Sequence, residues 1–147
     1  MEDASTWLEK LEDNAYRATG PRKAIIDLLL QTNRALNPME IFNYTRIGYP
    51  KIGLVTVYRT LDKLVELQLI QRVHQQGGCN SYIAHAEGHQ HLIICKRCGK
   101  ADFFEGDDLG GFFTLVGKRL GYTVNNHWLQ LFGVCEQCNS TNYERKA

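Results

Sequence analysis

The sequence predicts an α+β protein in two parts: an N-terminal winged helix-turn-helix, then a small α/β domain built around four cysteines. Three observations predict it. Four segments with helical apolar spacing precede two strand-like runs separated by Gly77-Gly78. Two Cys-x-x-Cys pairs, Cys95/Cys98 and Cys135/Cys138, stand 36 residues apart in the second half. Basic charge is concentrated between residues 16 and 75. A chain of 147 residues accommodates one average domain or two small ones.

Trp7, Leu8, Leu11 and Ala15 recur at helical spacing and predict a first helix over residues 4 to 16. Thr19-Gly20-Pro21 offers a cap and a first-turn proline for a second helix through Leu30, with Ile25, Ile26, Leu29 and Leu30 inward. Asn37-Pro38 repeats the start signal for a third helix to about Arg46. In the fourth, residues 54 to 67, the apolar stripe is Leu54, Val57, Leu61, Leu64 and Val65. Thr56, Arg59, Thr60 and Lys63 are expected on the opposite, donor-rich face. Residues 69 to 74 and 81 to 84 then read as strands of a hairpin. Helices closed by a hairpin make a winged helix-turn-helix, whose last helix enters the major groove while the wing leans on the flanking backbone.

The net charge of +1 is a poor guide to partners because it is a sum of unlike parts. Residues 1 to 15 carry −4, residues 16 to 75 carry +5, and the remainder is neutral. A basic module inside a neutral chain suits double-stranded DNA. The longest apolar runs, such as Leu92-Ile93-Ile94-Cys95, fall far short of the roughly 20 residues that span a bilayer, so no membrane helix is expected. The N-terminus lacks the basic flank and apolar core of a signal peptide, which makes the cytoplasm the expected compartment. In a reducing compartment, five cysteines read as metal ligands or reactive thiols before they read as disulfides.

Zinc in a structural site takes four tetrahedral ligands, and a two-residue gap lets one tight turn aim two thiolates at one ion. Cys95, Cys98, Cys135 and Cys138 are therefore expected to hold one Zn²⁺. Gly99 relieves the first turn so that backbone amides approach the sulfurs. Cys79, the odd thiol, falls in the expected wing and is assigned neither ligation nor catalysis. His89 and His91, two apart on an expected strand, project to one face. With His127, placed on a strand-like run from Asn126 to Phe132, they form a second candidate metal site. Between the cysteine pairs, Leu109, Phe112, Phe113, Val116 and Leu120 predict an amphipathic helix ended by Gly121. This half is too small for a large core and is expected to pair its sheet with a second copy.

These residues resemble the ferric uptake regulator family of metal-sensing repressors over nearly the whole chain. Thr56-Val57-Tyr58-Arg59-Thr60-Leu61 is similar to its recognition-helix signature, and the run from Gly88 to Lys100 is similar to its metal-binding stretch. The resemblance implies a homodimer on operator DNA, a structural zinc on the four cysteines, and a second, regulatory divalent metal near a hinge. On this reading residues 1–84 bind DNA, 85–90 are the hinge, and 91–147 dimerise and bind metal. Tyr58 and Arg59 take the operator-contacting role beside Thr56 and Lys63, and Arg17 and Arg22 meet phosphates.

The regulatory site departs from the family pattern. The helix carboxylate expected there falls on Gly110, and a further family site would need ligands where Leu92 and Phe103 stand and a histidine between residues 33 and 37. One regulatory metal is therefore expected on His89, His91 and His127, completed by Asp107 or His85. Three imidazoles favour zinc over iron, manganese or nickel. No small organic substrate is implied, and the chain is expected not to be an enzyme. The rival readings are a hydrolase with a His-ligated zinc, a thiol oxidoreductase using one Cys-x-x-Cys, and a DNA-binding zinc protein that senses nothing. The hydrolase lacks a HExxH-type general base.

Overall fold

The computed structural model describes residues 3–74, 79–85, 90–106 and 109–144. Gly77-Gly78, His89 and Asp107 lie outside the described residues. The chain divides into two compact units, Met1–His85 and Ala86–Ala147.

In the first unit, helix α1 spans Ala4–Asp13 and buries Trp7 and Leu11. The Asp3 carboxylate accepts the Thr6 backbone N–H at 2.9 Å and the hydroxyls of Ser5 and Thr6, each at 2.8 Å. These donors, the Thr6 amide foremost, hold the Asp3 carboxyl at about 2, below its ordinary 3.8. The helix stops short of residue 16 because Ala15 turns to a φ of 59°. There the Ala15 and Tyr16 amides fold back onto the carbonyls of Glu12 and Leu11.

Helix α2 (Gly20–Gln31) opens on Pro21; Thr19 has the extended backbone of an N-cap but makes no side-chain cap bond. Helix α3 (Pro38–Gly48) carries a reciprocal capping box: Asn37 Oδ1 accepts the Glu40 amide at 2.9 Å, and Glu40 accepts the Asn37 amide at 2.8 Å. Helix α4 (Leu54–Glu66) starts at Gly53. Leu11, Ile25, Ile26, Leu29, Ile41, Val57, Leu61 and Leu64 are wholly buried together, so all four helices share one core.

Strands β1 (Ile70–His74) and β2 (Asn80–Ala84) pair antiparallel, from Ile70 opposite Ala84 to His74 opposite Asn80. Leu36, between α2 and α3, exchanges two backbone hydrogen bonds with Tyr82, at 2.9 and 2.8 Å. That bridge fastens the wing to the helices, completing a winged helix.

The second unit is a three-stranded sheet in the order β4-β3-β5. Central β3 (Gln90–Cys95) runs antiparallel to β4 (Ala101–Glu105) and parallel to β5 (Gln130–Gly133). A parallel pair needs a crossover, which α5 (Leu109–Leu120) supplies before Gly121 closes it at a φ of 79°. Two expectations change here. Strand β5 begins only at Gln130, so His127 sits in the preceding loop rather than on a strand. A helix not foreseen, α6 (Glu136–Glu144), begins directly after Cys135 and carries Cys138 in its first turn; the polar run Glu136-Gln137-Cys138-Asn139-Ser140-Thr141-Asn142 has no apolar period to announce it.

Leu61→Ala is expected to cost the first unit about 2–5 kcal/mol in denaturant unfolding, since its cavity opens where four helices meet. The Asp3 cap is intact above the ordinary carboxylate range and is lost as pH falls through about 2. The Thr6 amide proton, followed by NMR, is therefore expected to titrate with a midpoint near 2 rather than near 3.8.

Candidate metal centre and nucleic-acid interface

The parallel register of β3 and β5 sets Cys95 opposite Gly133. Both strands therefore leave the sheet at the same end, and the turn after each carries a Cys-x-x-Cys pair. The Lys96 amide donates to the Gly133 carbonyl at 2.8 Å, and Arg97 Nη1 donates to the Cys138 carbonyl at 2.8 Å, so the two turns are tied directly. Gly99, at a φ of 75°, closes the first turn through its amide to the Cys95 carbonyl.

The Sγ atoms of Cys95, Cys98, Cys135 and Cys138 all lie within 4.8 Å of one another, and those of Cys98 and Cys135 are 3.7 Å apart. Tetrahedral zinc with its usual sulfur bond lengths separates its sulfurs by about 3.8 Å, the separation already reached by Cys98 and Cys135, so the donor set suits that ion. Burial pushes the Cys95 thiol up, but N–H groups of Cys135, Cys98 and Arg97 aimed at its sulfur outweigh that and hold it at about 6. The Cys135 amide approaches that sulfur at 3.4 Å. Cys138 is pushed up to about 12, first by the Cys135 side chain, then by burial and the other two sulfurs. One thiolate is thus prepared by the backbone, whereas four close sulfurs need a cation to be ionised together. Cys79 is an exposed free thiol of the first unit and is not part of the cluster.

Two of the expected nitrogen ligands meet elsewhere in the second unit. His91, on β3, is 3 % exposed, and its ring centroid lies 5.1 Å from that of His127. Two imidazoles sharing a tetrahedral ion place their centroids about 5 Å apart, so this pair fits one metal. Phe104, opposite His91 on β4, and Phe113, on α5 and 4.4 Å from the His127 ring, wall the pair. Gly106 packs on the same imidazole: a β-carbon there would fall 2.6 Å from His91 Nε2. His85 follows β2 in the first unit, its amide donating to the Leu69 carbonyl at 2.8 Å. Gly110 faces open space.

In the first unit, α4 presents Val55, Tyr58, Arg59 and Asp62 as its outer face. The expected face of Thr56, Arg59, Thr60 and Lys63 is corrected. Thr60 is fully buried, its hydroxyl donating to the Thr56 carbonyl at 2.7 Å. At 100° per residue Thr60 lies about 40° beyond Leu64, on the border between the stripe of Val57, Leu61 and Leu64 and the polar face, so its helical angle alone did not place it. Thr56 and Lys63 are half-buried flanks, and Lys63 Nζ sits 3.1 Å from Glu66 Oε1. Val55 was missed because an exposed valine carries no polar signal. The Arg22 guanidinium stacks 3.8 Å above the Tyr16 ring and donates to the Arg17 carbonyl. A cleft of about 600 Å³ beside it is lined by Arg22, Tyr49, Lys51 and Thr56 among others.

A winged helix with an outward Tyr-Arg pair, joined to a unit carrying a four-thiol metal centre, defines a metal-responsive, DNA-binding transcriptional regulator. The comparisons agree. The profile of the ferric uptake regulator family matches residues 13–132, and the chain belongs to that family of repressors. It is 30% identical over 140 residues to the ferric uptake regulation protein of Bacillus subtilis (strain 168), covering 92% of this chain and 94% of that one. Its fold is that of the Helicobacter pylori ferric uptake regulator, with a TM-score of 0.74 at 23% identity over 94% of this chain and 95% of that one. It is also that of a zinc uptake regulator solved with zinc and DNA, with a TM-score of 0.70 at 19% identity over 97% and 99% of the two chains.

Loading the thiol cluster at pH 7 is expected to release protons, one of them from Cys138, and to weaken as pH falls. Calorimetry of zinc binding in buffers of different ionisation enthalpy measures that proton count.

Proposed function

We propose that this chain is a homodimeric cytoplasmic repressor whose grip on double-stranded operator DNA depends on a regulatory divalent metal. Residues 1–84 read DNA, 85–90 act as the hinge, and 91–147 dimerise and hold metal. Cys95, Cys98, Cys135 and Cys138 keep a structural zinc. His91 and His127, with His89 and with Asp107 or His85, hold the regulatory ion, for which zinc is favoured over iron, manganese or nickel. The observation that carries the reading is the close His91–His127 pair, separate from the thiol cluster, in a chain whose other unit offers Tyr58 and Arg59 outward.

Each protein group has a defined task. Arg59 donates to base edges, Tyr58 and the half-buried Thr56 and Lys63 fit the groove around it, and Arg17 and Arg22 meet phosphates. Tyr16 holds the Arg22 guanidinium flat and Arg17 anchors one of its nitrogens, which limits the entropy lost on meeting a phosphate. Neutral imidazoles of His91 and His127 supply ligand nitrogens only in their deprotonated form. The regulatory ion supplies a preference for one of two conformations of the dimer. Dimerisation is supported by Phe112, Leu115, Val116 and Leu120 on α5 and Leu131 and Phe132 on β5, all exposed in the single chain. An apolar stretch of that extent marks an interface. Among the described residues no helix is long and apolar enough to cross a membrane.

The experiment compares operator binding by the native chain and by His91→Ala/His127→Ala, with metal counted per chain. The variant is expected to keep one zinc, on sulfur, and to lose metal-dependent binding; unchanged metal dependence refutes the site. Arg59→Ala is expected to weaken specific binding by one to two decades while altering binding to random DNA little. Cys135→Ser is expected to lose zinc and the fold of the second unit together, read as zinc content and far-ultraviolet circular dichroism.

A further inference from the structure

Helix α4 carries an exposed apolar residue on the same outer strip as Tyr58 and Arg59. Val57, Leu61 and Leu64 are fully buried, and Leu54 and Val65 are half-buried, but Val55 is 62 % exposed in the helix's first turn. Its neighbours on the outer face are Tyr58, 45 % exposed, and Arg59. Val55 and Arg59 stand one turn apart on a single strip, so whatever surface meets the guanidinium also meets the valine's two methyl groups. A valine is a poorer helix former than alanine or the long polar residues common on exposed helix faces, so helix formation does not account for it.

We propose that Val55 is a specificity-determining residue that packs against a thymine methyl group in the major groove. This rests on the reading of α4 as the DNA-entering helix. The major groove offers one apolar group, the C5-methyl of thymine, and small apolar side chains recognise it by contact. Four residues of α-helix advance about 6 Å, close to two base-pair steps, so the thymine lies about two steps from the base that Arg59 reads. The flanks suit this placement. Thr56 and Lys63 turn partly into the protein, and Thr60 is buried, which leaves Val55, Tyr58 and Arg59 as the protruding side chains at the start of the helix. Val55 thereby sets which base is tolerated at one position without donating or accepting a hydrogen bond.

The test removes the methyl groups one at a time. A duplex is selected from random-sequence DNA by the full-length, metal-loaded protein, and each thymidine is then replaced singly by deoxyuridine, which deletes only the C5-methyl. Native protein is expected to lose about fourfold in affinity at one thymine per half-site, the value of one buried methyl-sized contact. Val55→Ala, which preserves helix propensity, is expected to lose about as much on the unmodified duplex and to be indifferent to deoxyuridine at that same position. Thymines elsewhere in the duplex keep their native sensitivity. If Val55→Ala binds selectively with unchanged sensitivity at every thymine, or weakens binding to all sequences alike, the inference is overturned and Val55 contacts backbone or protein instead. Absence of sequence-selective binding with any divalent metal overturns the DNA-reading role of α4 itself, a separate result.

Discussion

Four sulfurs drawn to within 4.8 Å of one another are the constraint on which the second unit depends. Its buried hydrophobic side chains, among the described residues, are Leu92, Ile94, Cys95 and Ala101. Such a core cannot offset the conformational entropy of some sixty residues. The parallel pairing of β3 with β5 also closes a long crossover, a costly contact to form first. A cation that binds Cys95 and Cys98 on one side and Cys135 and Cys138 on the other joins the ends of that crossover and holds the register. Backbone N–H groups prepare Cys95 as a thiolate while the neighbouring sulfurs push Cys138 up, so an ion is needed to hold both ionised together. The consequence extends to the histidines: His91 lies on β3, and His127 lies just before β5. Their 5.1 Å spacing is set by the same strand pairing that the sulfurs secure.

The first unit is held by different forces. Its core is continuous through four helices and the wing and is built of apolar side chains. What remains outside that core is a surface with defined polarity: a guanidinium flattened on Tyr16, and a short outward strip on α4 that combines valine, tyrosine and arginine. The division of labour follows from this. On the proposed reading, the unit with its own core presents chemistry to DNA, while the unit gathered around the sulfur cluster is the one in which a further metal alters conformation.

Much of this was legible in the sequence because its signals were strong and local. Pro21 and Asn37-Pro38 mark helix starts, and Cys95, Cys98, Cys135 and Cys138 converge in space as their spacing suggests. The failures have physical causes. Thr60 shares the spacing of Thr56, Arg59 and Lys63 and so reads as outward, but it borders the apolar stripe, and a threonine can satisfy its hydroxyl on the carbonyl one turn back and so live in a core. Ala15 continues the apolar spacing of Trp7 and Leu11 and so reads as part of α1, whereas the chain reverses there at positive φ. The strand around His127 was drawn too long because the largely apolar run of Trp128, Leu129, Leu131 and Phe132 reads as one strand, in a segment that pairs only from Gln130. Helix α6 depends on the second cysteine turn and has no apolar stripe of its own. The partners of a second copy are legible only as exposed apolar side chains on α5 and β5.

The central claim is that one metal builds the fold and a second sets DNA binding. The most direct measurement fills the sulfur site, then titrates operator affinity with each divalent metal while counting ions per chain in the free and DNA-bound protein. One ion per chain is expected in the weakly binding form, two in the tightly binding form, and saturation of affinity in step with the second. Full affinity at one ion per chain, unaffected by added metal, would contradict it.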